Sequence, residues 1–359
     1  MKPNFKIIKA KRILLSPLNW GIGHAARLVP IANYLHQQGA EVFICASGAA
    51  LNLLQLECTY ATFVKDIPFE ITYGKSYYSQ ILKLTLQLPK MFAQVYREHQ
   101  LLKKLVVKYN IEFVISDNRY GFYHFNIPCV FITHQINIKV PFGASLVNLL
   151  NHYFIKKFDA CWVPDFEQAN QSLAGELSSN NQLQNVNYIG TLSRGSKANT
   201  VTDKNAPILY LLSGVEPQRS LFEKIILQYH SQHPHKAILI RGSTTCKEII
   251  QPKHNLVVYN VCDAKQLQSI VSECRYVVCR SGYSSIMDLV HWQKNAVLVP
   301  TPGQNEQEYL AHYLSQKQWF FCINQNNFLQ FNEAVIEEFE CPEKIKHTVN
   351  FEALINRFF

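Results

Sequence analysis

Short apolar runs rich in β-branched and aromatic residues alternate along this chain with longer segments whose apolar positions recur at helical spacing. That alternation predicts parallel sheets covered by helices. In the first half, strands are expected near Arg12–Ser16, Glu41–Ala46, Glu112–Ser116, Pro128–Thr133 and Ala160–Val163. Helices are expected near Ala25–Gln38, Ala49–Glu57, Tyr78–Tyr109 and Ala144–Lys157, the first ending at Gly39 as a C′ glycine. Residues Ser193–Ala206 are small and polar, with few side chains a core could use, and read as a linker. After it the alternation restarts, with strands at Ile208–Leu212, Ala237–Ile240, Leu256–Tyr259, Tyr276–Cys279 and Ala296–Val299. Helices follow at Gln218–His230, Ala264–Glu273, Ser284–His291 and Glu306–Ser315, and Asp263 with Gln266 three places on is a capping-box start. The organisation expected is α/β, two doubly wound open domains facing a central cleft. The first covers residues 1–192, the linker 193–206 and the second 207–340. Residues 341–359 are expected as a terminal helix packing back toward the first domain.

Composition narrows the picture. A chain of 359 residues is too long for one core, and 48% apolar with 17% charged residues excludes disorder and coiled coil. The net charge of +9 favours an anionic partner: a nucleotide, a phospholipid surface or nucleic acid. Nucleic acid is the weakest of the three, because no recognised RNA- or DNA-binding module occurs. Ten cysteines form no CxxC pair, and the tightest spacing, Cys274 to Cys279, fits no common zinc pattern. Without a secretory leader they read as buried thiols of a cytosolic protein, and no apolar run approaches the ~18 residues of a membrane span.

The first strand runs into LNWGIGHAARLVPIANYL. Gly21 and Gly23 permit a tight turn and close backbone approach, and the helix after them offers unpaired N–H groups. His24 and Arg27 fall in its first turn. One reading makes His24 a simple helix cap. The other makes it a general base, kept neutral by the positive end of the helix in the first βα loop of the sheet, a favoured ligand position. Asp117 and Asn118 close one later strand, and His134 and Gln135 another. Asp117 can orient the imidazole of His24 and stabilise its protonated form, or merely cap a turn. His134 is either a ligand contact or a satisfied polar residue at a strand end. Gly21, Gly23, Arg27, Asn118 and His134 are the expected acceptor-binding group.

The most specific stretch is YVVCRSGYSSIMDLVHWQKNAVLVPTPGQNEQEYLAHYL. A strand delivers Arg280, Ser281 and Gly282 open a helix, and Asp288 follows two turns on. A second strand then leads through Pro300 and Pro302 to Glu306 and Gln307. Gly282 lets backbone N–H groups reach a diphosphate, serine hydroxyls add bonds, and the acids and amide suit sugar or ribose hydroxyls. This stretch resembles the donor-binding signature of GT-B glycosyltransferases, especially the MurG-like relatives in glycosyltransferase family 28. There, R-[SA]-G-x-x-[ST]-x-x-E is followed by a proline-containing strand end and a D/E/R-Q pair. Arg280, Ser281, Gly282, Ser285 and Asp288 match in spacing, with Asp in place of Glu, and Glu306 and Gln307 match the later pair. Ser213 and Gly214 resemble the family's loop opening the donor domain, Val261 lies where its backbone reads the base, and GIGH at Gly21–His24 resembles its first glycine loop. His24 with Asp117 is similar to the base–orienter dyad of plant-type nucleotide-sugar transferases.

The resemblance implies two Rossmann-like domains and transfer of a hexose or N-acetylhexosamine from a UDP-sugar, with inversion. The acceptor is expected to be a cell-envelope lipid or polysaccharide precursor, lipid-linked or saccharide. No Asp-x-Asp occurs, so no metal and no cofactor are expected, with Ser281, Gly282 and helix dipoles taking the electrostatic load. The alternatives are a nucleotide-sugar hydrolase on the same fold and a non-catalytic nucleotide-sugar-binding subunit. Lys75–Lys108 carries seven basic residues and one acid, a net +6. Lys83, Lys90, Arg97 and Lys104 recur every seven residues beside the apolar stripe Ile81, Leu88, Val95 and Leu102, with Pro89 expected to kink or divide the helix. Such a stripe is either a solvated face or a contact with anionic lipid. The uncharged stretch Val140–Ile155 is read either as core or as interfacial helix. The place expected is therefore cytoplasmic, at the inner face of the membrane.

Overall fold

The computed structural model describes residues 11–354 except 20–21, 68–76, 141–142, 181, 200, 202, 215, 234, 243–248, 254 and 343–352, and only the backbone of 77–88 and 249–253. Gly21, the side chain of Lys83 and most of the expected terminal helix 341–359 lie outside the described residues. The first sheet is built from β1 (Arg12–Pro17), β2 (Glu41–Ala46), β3 (Thr62–Lys65), β4 (Phe113–Asp117), β5 (Cys129–Ile132), β6 (Ala160–Val163) and β7 (Val186–Tyr188). Its helices are α1 (Ile22–Gln37), α2 (Gly48–Glu57), α3 (Tyr77–Tyr109) and α4 (Ala144–Ile155). The strands lie in the order β3-β2-β1-β4-β5-β6-β7, all parallel.

The second sheet contains β8 (Ile208–Leu211), β9 (Ala237–Ile240), β10 (Ile249–Lys253), β11 (Leu256–Tyr259), β12 (Val277–Cys279), β13 (Ala296–Leu298) and β14 (Phe321–Cys322). It is flanked by α5 (Gln218–Gln232), α6 (Ala264–Glu273), α7 (Tyr283–Trp292) and α8 (Asn305–Gln316). Its order is β10-β11-β9-β8-β12-β13-β14, parallel except where β10 meets β11. Local chemistry sets the ends of these elements. Gly39 leaves α1 at φ +84°, a left-handed residue where glycine avoids a Cβ penalty. Asp263 caps α6 by accepting from the Gln266 amide at 2.8 Å. Pro89 sits inside α3 without dividing it.

Strand periodicity explains how the two lobes join. In β1, Ile13 and Leu15 point to one face and Leu14 to the other; in β8, Leu209 opposes Ile208 and Tyr210. The Ile13/Leu15 face and the Leu209 face share a single apolar cluster, which takes in Ala25 and Leu28 of α1 and Ile286, Met287 and Leu289 of α7. The other faces carry separate clusters. The supposed linker is not loose. Ala198 is buried in the shared cluster, Ser193 donates to Asp288 at 2.6 Å, and Arg194 pairs with Glu57 at 2.9 Å. Its polar side chains are partners for both lobes, which is why its composition looked solvent-bound.

In each sheet the strand order reverses once, between β1 and β4 and between β8 and β12. Crevices of that kind, at the carboxyl ends of parallel strands, are where open α/β sheets bind ligands. His24 follows β1 and Asp117 ends β4, Ser213 and Gly282 follow β8 and β12, and His134, Val261 and Glu306 follow β5, β11 and β13.

Candidate active site

At the first switch point, the turn after β1 presents His24 on the first turn of α1, and β4 ends on Asp117. His24 Nδ1 lies 3.0 Å from Asp117 Oδ1. Arg27, one turn along α1, grips the same carboxylate with Nε at 2.5 Å from Oδ2 and with Nη2 on Oδ1. Asp117 is fully buried. Burial alone would raise its carboxyl, but Arg27 and then His24 override that and hold it below the usual carboxylate range. An ionised Oδ1 accepts the hydrogen of the Nδ1–H tautomer, in which Nε2 carries the free lone pair, and the His24 side chain is about one-fifth exposed.

Arg27, expected at the acceptor, is thus committed elsewhere: its side chain is 1% exposed and its guanidinium serves Asp117. Nη2 also lies 2.9 Å from His24 Nδ1, and Nη1 lies 3.4 Å from His134 Nδ1. A second buried cluster closes the same strand ends. Arg119 donates to Asp66, Glu98 and Ser16 over 2.9–3.1 Å, and Asn19 of the first loop donates to Asp66 at 2.6 Å. Glu98 belongs to α3, so this cluster anchors that helix to the loop. Asn118 stands between the clusters at φ +57°, its amide bonded to the Ile132 carbonyl at 3.0 Å.

The second switch point is built differently. Gly282 is the N-cap of α7 at φ −70°, ψ 140°, and no side chain caps the helix. Its first N–H groups and positive dipole end are thus without a side-chain acceptor. Ser281 donates to the Gln307 carbonyl at 2.8 Å, and the Gln307 amide oxygen accepts from the Thr301 N–H at 2.9 Å, which ties the loops after β12 and β13 together. Ser213 and Gly214, the latter at φ +97°, follow β8, Val261 follows β11, and Ser285 lies in the first turn of α7. Arg280, expected at the donor, turns inward. Its guanidinium is buried and donates to the carbonyls of Val299, Pro300 and Gln218 and to Gln325 Oε1 at 2.6–3.2 Å, so it braces loops rather than facing the cleft. Asp288 accepts from Ser193, and burial pushes its carboxyl up to about 6.

The two switch points meet. A Cβ at Gly23 would lie 2.8 Å from Ser284 Oγ, which places the residue before His24 against the first turn of α7. His134 Nε2 lies 2.7 Å from Glu306 Oε1, joining a residue expected at the acceptor to one expected at the donor. The His134 ring stacks on Tyr283 at 4.0 Å and 3°, and the Tyr283 hydroxyl donates to the Pro164 carbonyl at 2.7 Å. Tyr283 escaped the sequence reading because its partners come from the other lobe; the nearest signal was its place directly after Gly282.

Residues 207–349 match the glycosyltransferase family 28 C-terminal domain. Over the whole chain the fold is similar to that of the glycotransferase of kitacinnamycin, at 14% identity, covering 97% of this chain and 99% of that one, with a TM-score of 0.63. It is similar to LpCGTa in complex with UDP at 11% identity, 98% and 99% coverage and a TM-score of 0.58. The MurG of Acinetobacter baumannii aligns at 13% identity, 97% and 99% coverage and a TM-score of 0.54. No curated protein matches the chain by sequence. The chain therefore has the GT-B fold, and residues 207–349 of its second lobe match the glycosyltransferase family 28 C-terminal domain.

Proposed function

We propose that this protein is an inverting glycosyltransferase that moves a hexose or N-acetylhexosamine from a UDP-sugar to a cell-envelope lipid or polysaccharide precursor. The observation that carries this reading is the apposition, through Gly23 and Ser284, of a His24–Asp117 dyad on one lobe and an uncapped helix start on the other. The family 28 match of the second lobe and the likeness to a fold solved with UDP support it. In this reading the acceptor oxygen attacks the anomeric carbon as His24 Nε2 takes its proton, and the anomeric C–O bond to the diphosphate breaks. UDP leaves with the bonding pair, and the N–H groups of α7 with the hydroxyls of Ser284 and Ser285 stabilise its charge. Asp117 stabilises the imidazolium, with no step routed through a metal. Asp288 and Glu306 are the acceptors for ribose and sugar hydroxyls.

Incubation with UDP, dTDP, GDP and their sugars tests this by thermal shift. A UDP-sugar at a hundredfold excess over its Kd raises stability by about 2.7 kcal/mol, and silence across the panel overturns the reading. Release of free sugar without an acceptor points instead to the hydrolase.

The acceptor side of the proposal is a membrane face. Phe92 and Tyr96 of α3 and Leu146, Leu149 and Tyr153 of α4 are exposed, with the Phe92 and Phe154 rings 6.3 Å apart. Lys90, Arg97, Lys104 and Lys156 are exposed around them, and Lys157 lies over the Tyr153 ring at 4.7 Å. This apolar patch with a basic rim suits an anionic lipid surface, each cation adding ~1 kcal/mol. Among the described residues no helix is long and apolar enough to cross a membrane. Reversal of Lys83, Lys90, Arg97 and Lys104 to Glu should abolish co-sedimentation with phosphatidylglycerol vesicles, and unchanged sedimentation removes the membrane face.

A further inference from the structure

The contact between His134 and Glu306 crosses from one lobe to the other. An ionised Glu306 Oε1 only accepts, so at 2.7 Å it takes the hydrogen on His134 Nε2. The neutral ring then keeps its lone pair on Nδ1, 3.4 Å from Arg27 Nη1. The stack on Tyr283, itself tethered to the Pro164 carbonyl, fixes the ring plane. Burial keeps the imidazole below its usual range against the pull of Glu306, consistent with a neutral donor. Glu306 is held below the usual carboxylate range because His134 and Gln135 override its burial, and its side chain stays 36% exposed. A carboxylate offers about four lone-pair sites, so most remain for other donors.

We infer that His134 is a positioning residue for the donor sugar, held by Arg27 and Tyr283 so that it aims the ionised Glu306 at sugar hydroxyls. This rests on the glycosyltransferase reading and goes beyond it, because it moves His134 from the acceptor to the donor. Sugar recognition then depends on both lobes: Glu306 is supplied by the second and aimed by the first. UDP lacks the transferred sugar whose hydroxyls Glu306 receives, its ribose being left to Asp288, so UDP binding is indifferent to His134.

The experiment is a double-mutant cycle read by calorimetry, using UDP-N-acetylglucosamine, UDP-glucose and UDP-galactose, with UDP as the sugarless control. His134→Phe keeps a ring to stack on Tyr283 but removes the donor, and His134→Gln restores a donor near the Nε2 position. His134→Phe should weaken UDP-sugar binding roughly tenfold or more while UDP affinity stays within about twofold, and His134→Gln should recover most of the loss. In a Glu306→Ala background, His134→Phe should cost nothing further. Additive losses, or equal losses for UDP and UDP-sugar, overturn the inference and leave the glycosyltransferase reading standing. Failure of the parent protein to bind any of the three sugars overturns both.

Discussion

The two glycine loops are alike in sequence and opposite in what requires their glycine. At Gly23 the protein itself makes the demand, since a Cβ would meet Ser284 Oγ at 2.8 Å. At Gly282 the backbone is ordinary extended chain, and a Cβ would meet nothing within 4 Å. The surrounding charges differ in the same way. The strand ends of the first lobe hold completed ion pairs, Arg27 with Asp117 and Arg119 with Asp66 and Glu98. Those of the second lobe hold serine hydroxyls and an uncapped helix start, with Arg280 turned onto carbonyls. One lobe brings its own counter-charges, as proton transfer to a fixed base requires; the other leaves its helix start without a side-chain cap, as the proposed diphosphate site requires.

The largest effect expected from breaking this division is at His24. His24→Ala removes the base and should lower kcat by roughly 10²–10⁴-fold while UDP affinity stays within a few-fold. Unaltered turnover assigns the base elsewhere. Asp117 is the poorer probe, because its removal leaves Arg27 buried without a counter-charge, a loss of about 3–5 kcal/mol that mixes folding with chemistry.

The glycines come next, and their substitutions should split cleanly. Gly282→Ala should leave the melting temperature unchanged or slightly raised, since Ala tolerates that backbone and meets no neighbour. UDP affinity should fall about tenfold, because the methyl occupies space assigned to the diphosphate. Gly23→Ala should do the reverse, lowering stability through the clash with Ser284 and barely changing UDP binding; Ser284→Ala should relieve it. A destabilised Gly282→Ala with normal UDP affinity makes that glycine a packing residue and removes the anion site.

How much of this was legible in the sequence depends on where each partner sits. Strands β1, β2, β4, β8 and β12 are apolar runs bounded by turn residues, and position alone drew attention to the loops after them. Edge strands β3, β7 and β14 have two to four residues, too few to show a period, and β10 pairs antiparallel beyond a switch in direction. His24 and Asp117 could be paired because parallel strands bring their loops together. The His134–Glu306 bond spans 172 positions between lobes, and nothing local announces it. Helical spacing put Arg27 on the cleft side of α1 but could not show that a buried carboxylate was waiting there. The polar linker looked solvent-bound for the same reason: the partners of Ser193 and Arg194 are far away in sequence.

The smallest effect concerns Asp288, the acid that departs from the pairing rule of the first lobe. It leans on the Ser193 hydroxyl at 2.6 Å, while the nearby Arg194 pairs with Glu57, and burial pushes its carboxyl from the usual 3.8 to about 6. A raised carboxyl means that between pH 4 and 6 the folded chain holds a proton the unfolded chain has released. Stability from this group is therefore present below pH 4 and is lost as pH rises through 6, by on the order of 2–3 kcal/mol. Asp288→Asn keeps an oxygen for Ser193 and carries no charge, so it should melt like the parent near pH 4 and higher than the parent at pH 7–8. Its affinity for a UDP-sugar should fall several-fold if the carboxylate is held there, at a cost in stability, to receive ribose hydroxyls. Parallel melting curves from pH 4 to 8 would show that Asp288 has a counter-charge after all, and the contrast between the lobes would shrink to their glycines.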